Sequence, residues 1–235
     1  MASHTHWSRQ YEHDLEALRS RVMAMGGLVE SQLKQALEGL GQGRGDLLDE
    51  VIAGDDRVNA LEVEIDDDCA HLIARRQPAA RDLRMILGVS KIVTDLERIG
   101  DKARKVARLA RGLAPDPILG ALWRGDMRRV GAQAAALLSG TLDAFARWDA
   151  QGALAVIRDN RELGRANALI ETTLIQRMVE QAASVPVALD MMAVLRAFDR
   201  VGDHSTNVCE QLVYILTGTD VRHATLDRIE RAVGE

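Results

Sequence analysis

Hydrophobic residues recur three and four positions apart along most of the chain, and strict alternation is absent. Val89, Ile92, Leu96, Ile99, Ala103 and Val106 fall on one face at about 100° per residue, the signature of an amphipathic helix. Val194, Phe198, Val201, Val208 and Leu212 repeat the design further on. The pattern predicts six long helices. The first runs from about Ser8 to Leu40 and stops at the glycine-rich Gly41–Gly45. The second opens near Asp46 and closes before Gln77-Pro78. The third covers about Ala79 to Arg111, the fourth Ile118 to Arg147, the fifth Gln151 to Ala183 and the sixth Pro186 to Leu216. From Thr219 onward the chain is expected to be looser. Pro115-Asp-Pro117 is the expected boundary between units of 1–113 and 114–235.

Helices of this length need partners for their apolar stripes, so the fold expected is all-α and bundled. Three helices before the break and three after it suggest duplication. Leu96-Glu-Arg-Ile-Gly-Asp101 in the third helix and Phe198-Asp-Arg-Val-Gly-Asp203 in the sixth match in residue type at every position. A repeat at this separation predicts two copies of a three-helix unit, that is, two tandem pseudo-symmetric three-helix bundles.

Composition agrees. Hydrophobic residues make up 47% of the 235 positions but aromatics only 3%, and prolines number 4. That balance favours helix over strand. The net charge of −5 and the lack of a long basic run argue against nucleic-acid binding. Lys102, Arg104, Lys105, Arg108 and Arg111 are expected to form a solvated helix face. The first residues, MASHTHWSRQ, lack the apolar core of a signal peptide, and no apolar run is long enough to span a bilayer. Cys69 and Cys209 fit neither a zinc motif nor a disulfide framework, so a reducing cytoplasm is the expected location.

The repeated motif carries the candidate chemistry. Glu97 with Asp101, and Asp199 with Asp203, are spaced i, i+4 and therefore neighbour one another on a helix face. Paired carboxylates repel and call for a cation or for water. Both pairs lie to one side of the apolar stripe, at the border of the packed interior. In the sixth helix Asn207 and Glu210 extend the acidic strip. Oxygen ligands suit hard cations such as magnesium, calcium, manganese or iron, and suit zinc less. Glu62 and Asp66 share the spacing, and His204 follows Asp203, so these three are weaker candidates. Arg98 and Arg200 are expected to pair with acids across the bundle. Gly100 and Gly202, each mid-helix, point either to close helix packing or to access for an ion or partner.

A di-iron carboxylate enzyme is the rival reading. It needs two facing carboxylate-x-x-His motifs. Asp68-x-x-His71 offers one, but Asp220-x-x-His223 lies beyond the predicted helices. No Ser-His-Asp order, phosphate-cradling glycine loop or paired-cysteine motif points to other catalysis, so no enzyme activity is expected.

These residues resemble the PhoU family of regulators attached to high-affinity bacterial phosphate uptake. The resemblance covers nearly the whole chain. It is carried by Met23-Ala-Met-Gly-Gly-Leu-Val-Glu30, Ala74-Arg-Arg-Gln-Pro78, Asp82-Leu-Arg84, Leu96–Asp101 and Arg200–Glu210. It implies two similar three-helix bundles with metal sites at the acidic motifs, holding one or several ions. It also implies a cytoplasmic adaptor, commonly a homodimer, that relays the state of the phosphate ABC transporter to a membrane sensor histidine kinase. The implied partners are the transporter's ATPase subunit and the kinase's cytoplasmic domain, so contact with the membrane is indirect. Two departures stand out. The second motif begins with Asp199 where glutamate is usual in the first. Lys105 stands where the second copy has Asn207, so either the first site holds metal weakly or Lys105 itself neutralises Glu97 and Asp101.

Overall fold

The computed structural model describes residues 2–113 and 123–234, and among these there is no strand. The helices are α1 (Ala2–Gln42), α2 (Gly45–Ala53), α3 (Asp55–Arg76), α4 (Ala80–Leu113), α5 (Arg128–Arg147), α6 (Ala150–Glu180), α7 (Val185–Thr217) and α8 (Leu226–Gly234). A π turn, Trp123–Met127, leads into α5. The Pro115-Asp-Pro117 break lies outside the described residues.

Helix ends follow from local chemistry. Gln77 takes a left-handed conformation after α3 and its N–H caps Ile73 O at 3.1 Å, immediately before Pro78. Asp149 opens α6 by accepting the Gly152 N–H at 2.9 Å. Pro186 sits in the first turn of α7, and Gly218 closes that helix at φ +79° with its N–H on Tyr214 O.

The first bundle is made by α1, the α2–α3 arm and α4. The second is made by α5, α6 and α7. The stripes foreseen in α4 and α7 are buried throughout, from Val89 to Val106 and from Val194 to Leu212. On α1, Leu18, Val22, Met25, Val29 and Leu33 supply the matching face. The bundles join where α4 lies along α7 and α1 meets α5. One apolar core therefore runs through both. Arg19 of α1 also reaches the α5–α6 turn, donating to Ala146 O and stacking 5.3 Å from the Trp148 ring centre.

Two segments differ from the sequence expectation. The second arm is not one helix, because Gly54 separates α2 from α3; a Cβ at that position would come within 3.0 Å of Gln32 of α1. The tail is not loose. It ends in α8, which buries Ile229 and Ala232 against α6 and α7. Arg158 of α6 pairs with Glu230 there.

Candidate acidic sites on helices four and seven

Glu97 and Asp101 stand one turn apart on α4, at the groove where α3 crosses. Their carboxyls are only 15% and 21% exposed. Burial pushes the Glu97 carboxyl upward, and Asp101, Glu62 and Asp55 add to that through repulsion. So α3 contributes acids to the same place. Glu62 is one of them. Asp66 is held instead by the Ser90 hydroxyl at 2.6 Å.

The cation in this first site is Arg104. Its guanidinium donates to both Asp55 and Asp101, and the Asp55 side chain is 3% exposed. Lys105, one of the two alternatives raised for neutralising or weakening this site, is exposed. The basic run of α4 is thus not a uniform solvated face: Arg104 turns inward, and Arg111 pairs with Asp49 at 2.9 Å. Arg98 does not reach across the bundle. It lies 3.5 Å from Glu97 and 3.9 Å from Asp101 on its own helix. Arg200 likewise stays on α7, 3.2 Å from Asp203.

The second site repeats the layout with different residues. Burial pushes the Asp199 carboxyl upward; Asp203 and Glu171 repel it further, while a hydrogen bond from Asn167 opposes the rise. Asn167 is fully buried on α6. Its Nδ2 donates to Asp199, and its Oδ1 has no hydrogen-bond partner. Asp199 and Asp203 open onto a cleft of about 430 Å³ lined also by Asn160, Gly164, Arg196 and Arg200. Gly202 lets α6 come this close, because a Cβ there would collide with Asn160 Oδ1 and lie 2.9 Å from Leu163. Gly100, its counterpart, has only ordinary contacts, the nearest to Val58 at 3.4 Å.

The strip from Asp199 to Glu210 is not one site. Eleven residues of helix span about 16 Å, and the lower half faces elsewhere. Asn207 Nδ2 donates to Asp95 of α4 at 3.0 Å, and His204 Nδ1 is 2.8 Å from the same carboxylate oxygen. Glu210 lies with Asn207, Asp95, Lys91, Arg222 and His223 around a second cleft, and burial raises its carboxyl pKa. His204, Asn207 and Glu210 therefore belong to the junction between the bundles. Among the described residues, no group of three or more His, Cys, Asp or Glu side chains is arranged as a ready-made metal cage. The two carboxylate-x-x-His candidates are also apart. His71 is exposed against Asp67 of its own helix. Asp220 is bound by Arg222, which holds its carboxyl down at about 2.

Besides Arg104, the residues that sequence spacing did not reveal come from the crossing helices: Asp55 on α3, and Asn160, Asn167 and Glu171 on α6. A signal for them exists. Asp55, Glu62 and Asp66 correspond to Asn160, Asn167 and Glu171 at one constant offset, slightly longer than the offset between the α4 and α7 motifs.

The family model of the PhoU domain matches the chain twice, over residues 22–110 and 127–212. The chain belongs to the PhoU family. Each match contains one acidic motif. A Pseudomonas aeruginosa protein named as a phosphate-specific transport system accessory protein PhoU homolog is 41% identical over 97% of this chain and 94% of its own length. The PhoU accessory protein of Escherichia coli K12 is 36% identical over 96% of this chain and 93% of its own. The crystal structure of PhoU from P. aeruginosa matches the fold with a TM-score of 0.83 and 38% identity, covering 89% of this chain and all of that one. PhoU from Streptococcus pneumoniae shares the fold at the same TM-score with 24% identity. These relatives are named as accessory or regulatory proteins and not as enzymes. No helix among the described residues is long and apolar enough to cross a membrane.

Proposed function

We propose that the chain is an accessory regulator of phosphate uptake and of phosphate-starvation signalling, without catalytic activity of its own. The observation that carries this reading is the near full-length match to relatives named as accessory proteins of the phosphate-specific transport system. The two units proposed are 1–113 and 114–235, in keeping with the two family-model matches. The chain works in the cytoplasm as an adaptor, as a homodimer. Its partners are the ATPase subunit of a phosphate ABC transporter and the cytoplasmic domain of a sensor histidine kinase. A protein without a reaction centre shifts its partners' equilibria only by binding one state better than another. A tagged copy should co-purify with both partners; association with neither would remove the adaptor reading.

Metal binding is part of the proposal. In the second half the donor chemistry fits a hard cation. Two adjacent carboxylates face a cleft, Asp199 is raised by burial and repulsion, and a buried amide oxygen beside it lacks a partner. Asp199 and Asp203 would hold the ion, with water completing the shell, and the ion would relieve the repulsion between them. Glu97 and Asp101 are the lesser candidate, because Arg104 already holds Asp101. Asp203→Ala should remove most metal found by elemental analysis of protein purified without chelator and leave helical content unchanged. An undiminished metal content in that variant would contradict the assignment.

A further inference from the structure

We infer that Arg104 is the built-in cation of the first acidic site, and that its replacement by Thr206 in the second half leaves only that half in need of an external ion. The inference rests on the metal-binding reading above and adds an asymmetry between the halves.

The repeat makes the comparison direct. Arg104 and Thr206 stand three residues after Asp101 and Asp203, at equivalent places on α4 and α7. Each reaches the equivalent residue of the crossing helix. Arg104 donates to Asp55 on α3; on α6 the equivalent residue is Asn160, whose Nδ2 donates to Thr206 Oγ1 at 3.1 Å. Thus a charged pair in one half, Asp55–Arg104, is a neutral pair in the other, Asn160–Thr206. The same guanidinium also holds Asp101. Asp203 has no such partner from the groove. Its cation is Arg200, 3.2 Å away and 66% exposed at the rim of the cleft.

Charge arithmetic supports the assignment. Asp55, Glu62, Glu97 and Asp101 crowd the first groove. Burying Asp55 requires a paired cation, and the planar guanidinium bridges two carboxylates in a way that a lysine would not. A metal ion at Asp101 would have to share the carboxylate with a fixed positive charge, which disfavours it. In the second groove Asn160 and Asn167 replace two of the acids; Arg196 and Arg200 line the cleft, but no guanidinium bridges the crossing helix to Asp203 as Arg104 bridges Asp55 and Asp101.

The test is Mn²⁺ binding to the chelator-stripped full chain, counted from the loss of the free-ion electron paramagnetic resonance signal. Removing Arg104 alone would leave Asp55 buried without a counter-charge, so the informative variant is Asp55→Asn/Arg104→Thr, which copies the pair used by the second half. It should bind one more Mn²⁺ per chain than the wild type, and adding Asp101→Asn should abolish the gain. In the otherwise wild-type chain Asp101→Asn should leave Mn²⁺ binding unchanged. No gain in the double variant, or loss of bound Mn²⁺ on Asp101→Asn alone, would overturn the inference. A wild type that binds no Mn²⁺ together with a double variant that binds one would remove the metal reading of the second half and leave the role of Arg104 standing.

Discussion

Asp199 shows how packing shifts the protonation of a single carboxyl. Its folded pKa is raised, first by burial and then by Asp203 and Glu171. At mildly acidic pH the folded chain therefore holds more protons there than the unfolded chain does. Stability contributed by the protonated form is present below the ordinary carboxylate range, about 4, and is lost as pH rises through the raised value. Asp199→Asn should flatten that part of the pH–stability profile and raise the Tm of cation-free protein at neutral pH, while removing the stabilisation that a bound cation gives. A cation-free Tm that falls instead would mean that the carboxylate is not repelled. Arg104 is the opposite case, a charge the fold depends on. Arg104→Ala should cost about 3 kcal/mol, because it strands a buried Asp55. Lys105→Ala, at an exposed position, should stay within about 0.5 kcal/mol in the same denaturant titrations. The sequence offers two neighbouring basic residues, and the repeat draws attention only to Lys105, opposite Asn207. What decides between them is the crossing position of α3, which no local pattern encodes.

At the scale of helices, periodicity was a sound guide where one face is buried along its whole length. The stripes of α4 and α7 are buried residue for residue. It was a poor guide at short interruptions. Gly54 breaks the second arm although its φ of −77° is helical, and a side chain there would press on Gln32 of α1, 3.0 Å from the added Cβ. The α8 helix did carry a signal, with Leu226, Ile229 and Val233 on one face. Its short length made that signal easy to pass over, and its partner surfaces lie on α6 and α7. The two motif glycines, equivalent in sequence, are not equivalent in packing. Gly202→Ala should destabilise by roughly 1–3 kcal/mol, because the new Cβ meets Asn160 and Leu163. Gly100→Ala should be neutral or stabilising by up to about 1 kcal/mol, because space exists and alanine is the better helix former. Equal costs at both positions, measured by chemical denaturation, would show that the close approach of α6 is not what Gly202 serves.

Across the whole molecule, duplication has produced two grooves with one geometry and two charge states. The halves are held by an apolar seam along α4 and α7 and by polar pins, His204 and Asn207 on Asp95 and Arg19 on the turn after α5. Three of the candidate ligands, His204, Asn207 and Glu210, serve or border that junction. A one-dimensional strip of acids could not separate them from Asp199 and Asp203, because the helical wheel omits the distance along the axis and the identity of the neighbour. A double bundle without a reaction centre suits the proposed regulator, which would answer to partners and not transform a substrate. The most direct measurement is a phosphate-starvation reporter in phosphate-rich medium, in a strain lacking this protein and in the same strain carrying it again. The account predicts that the reporter switches on in the deletion strain and is silenced by the restored chain. A reporter that stays silent in the deletion strain would contradict it.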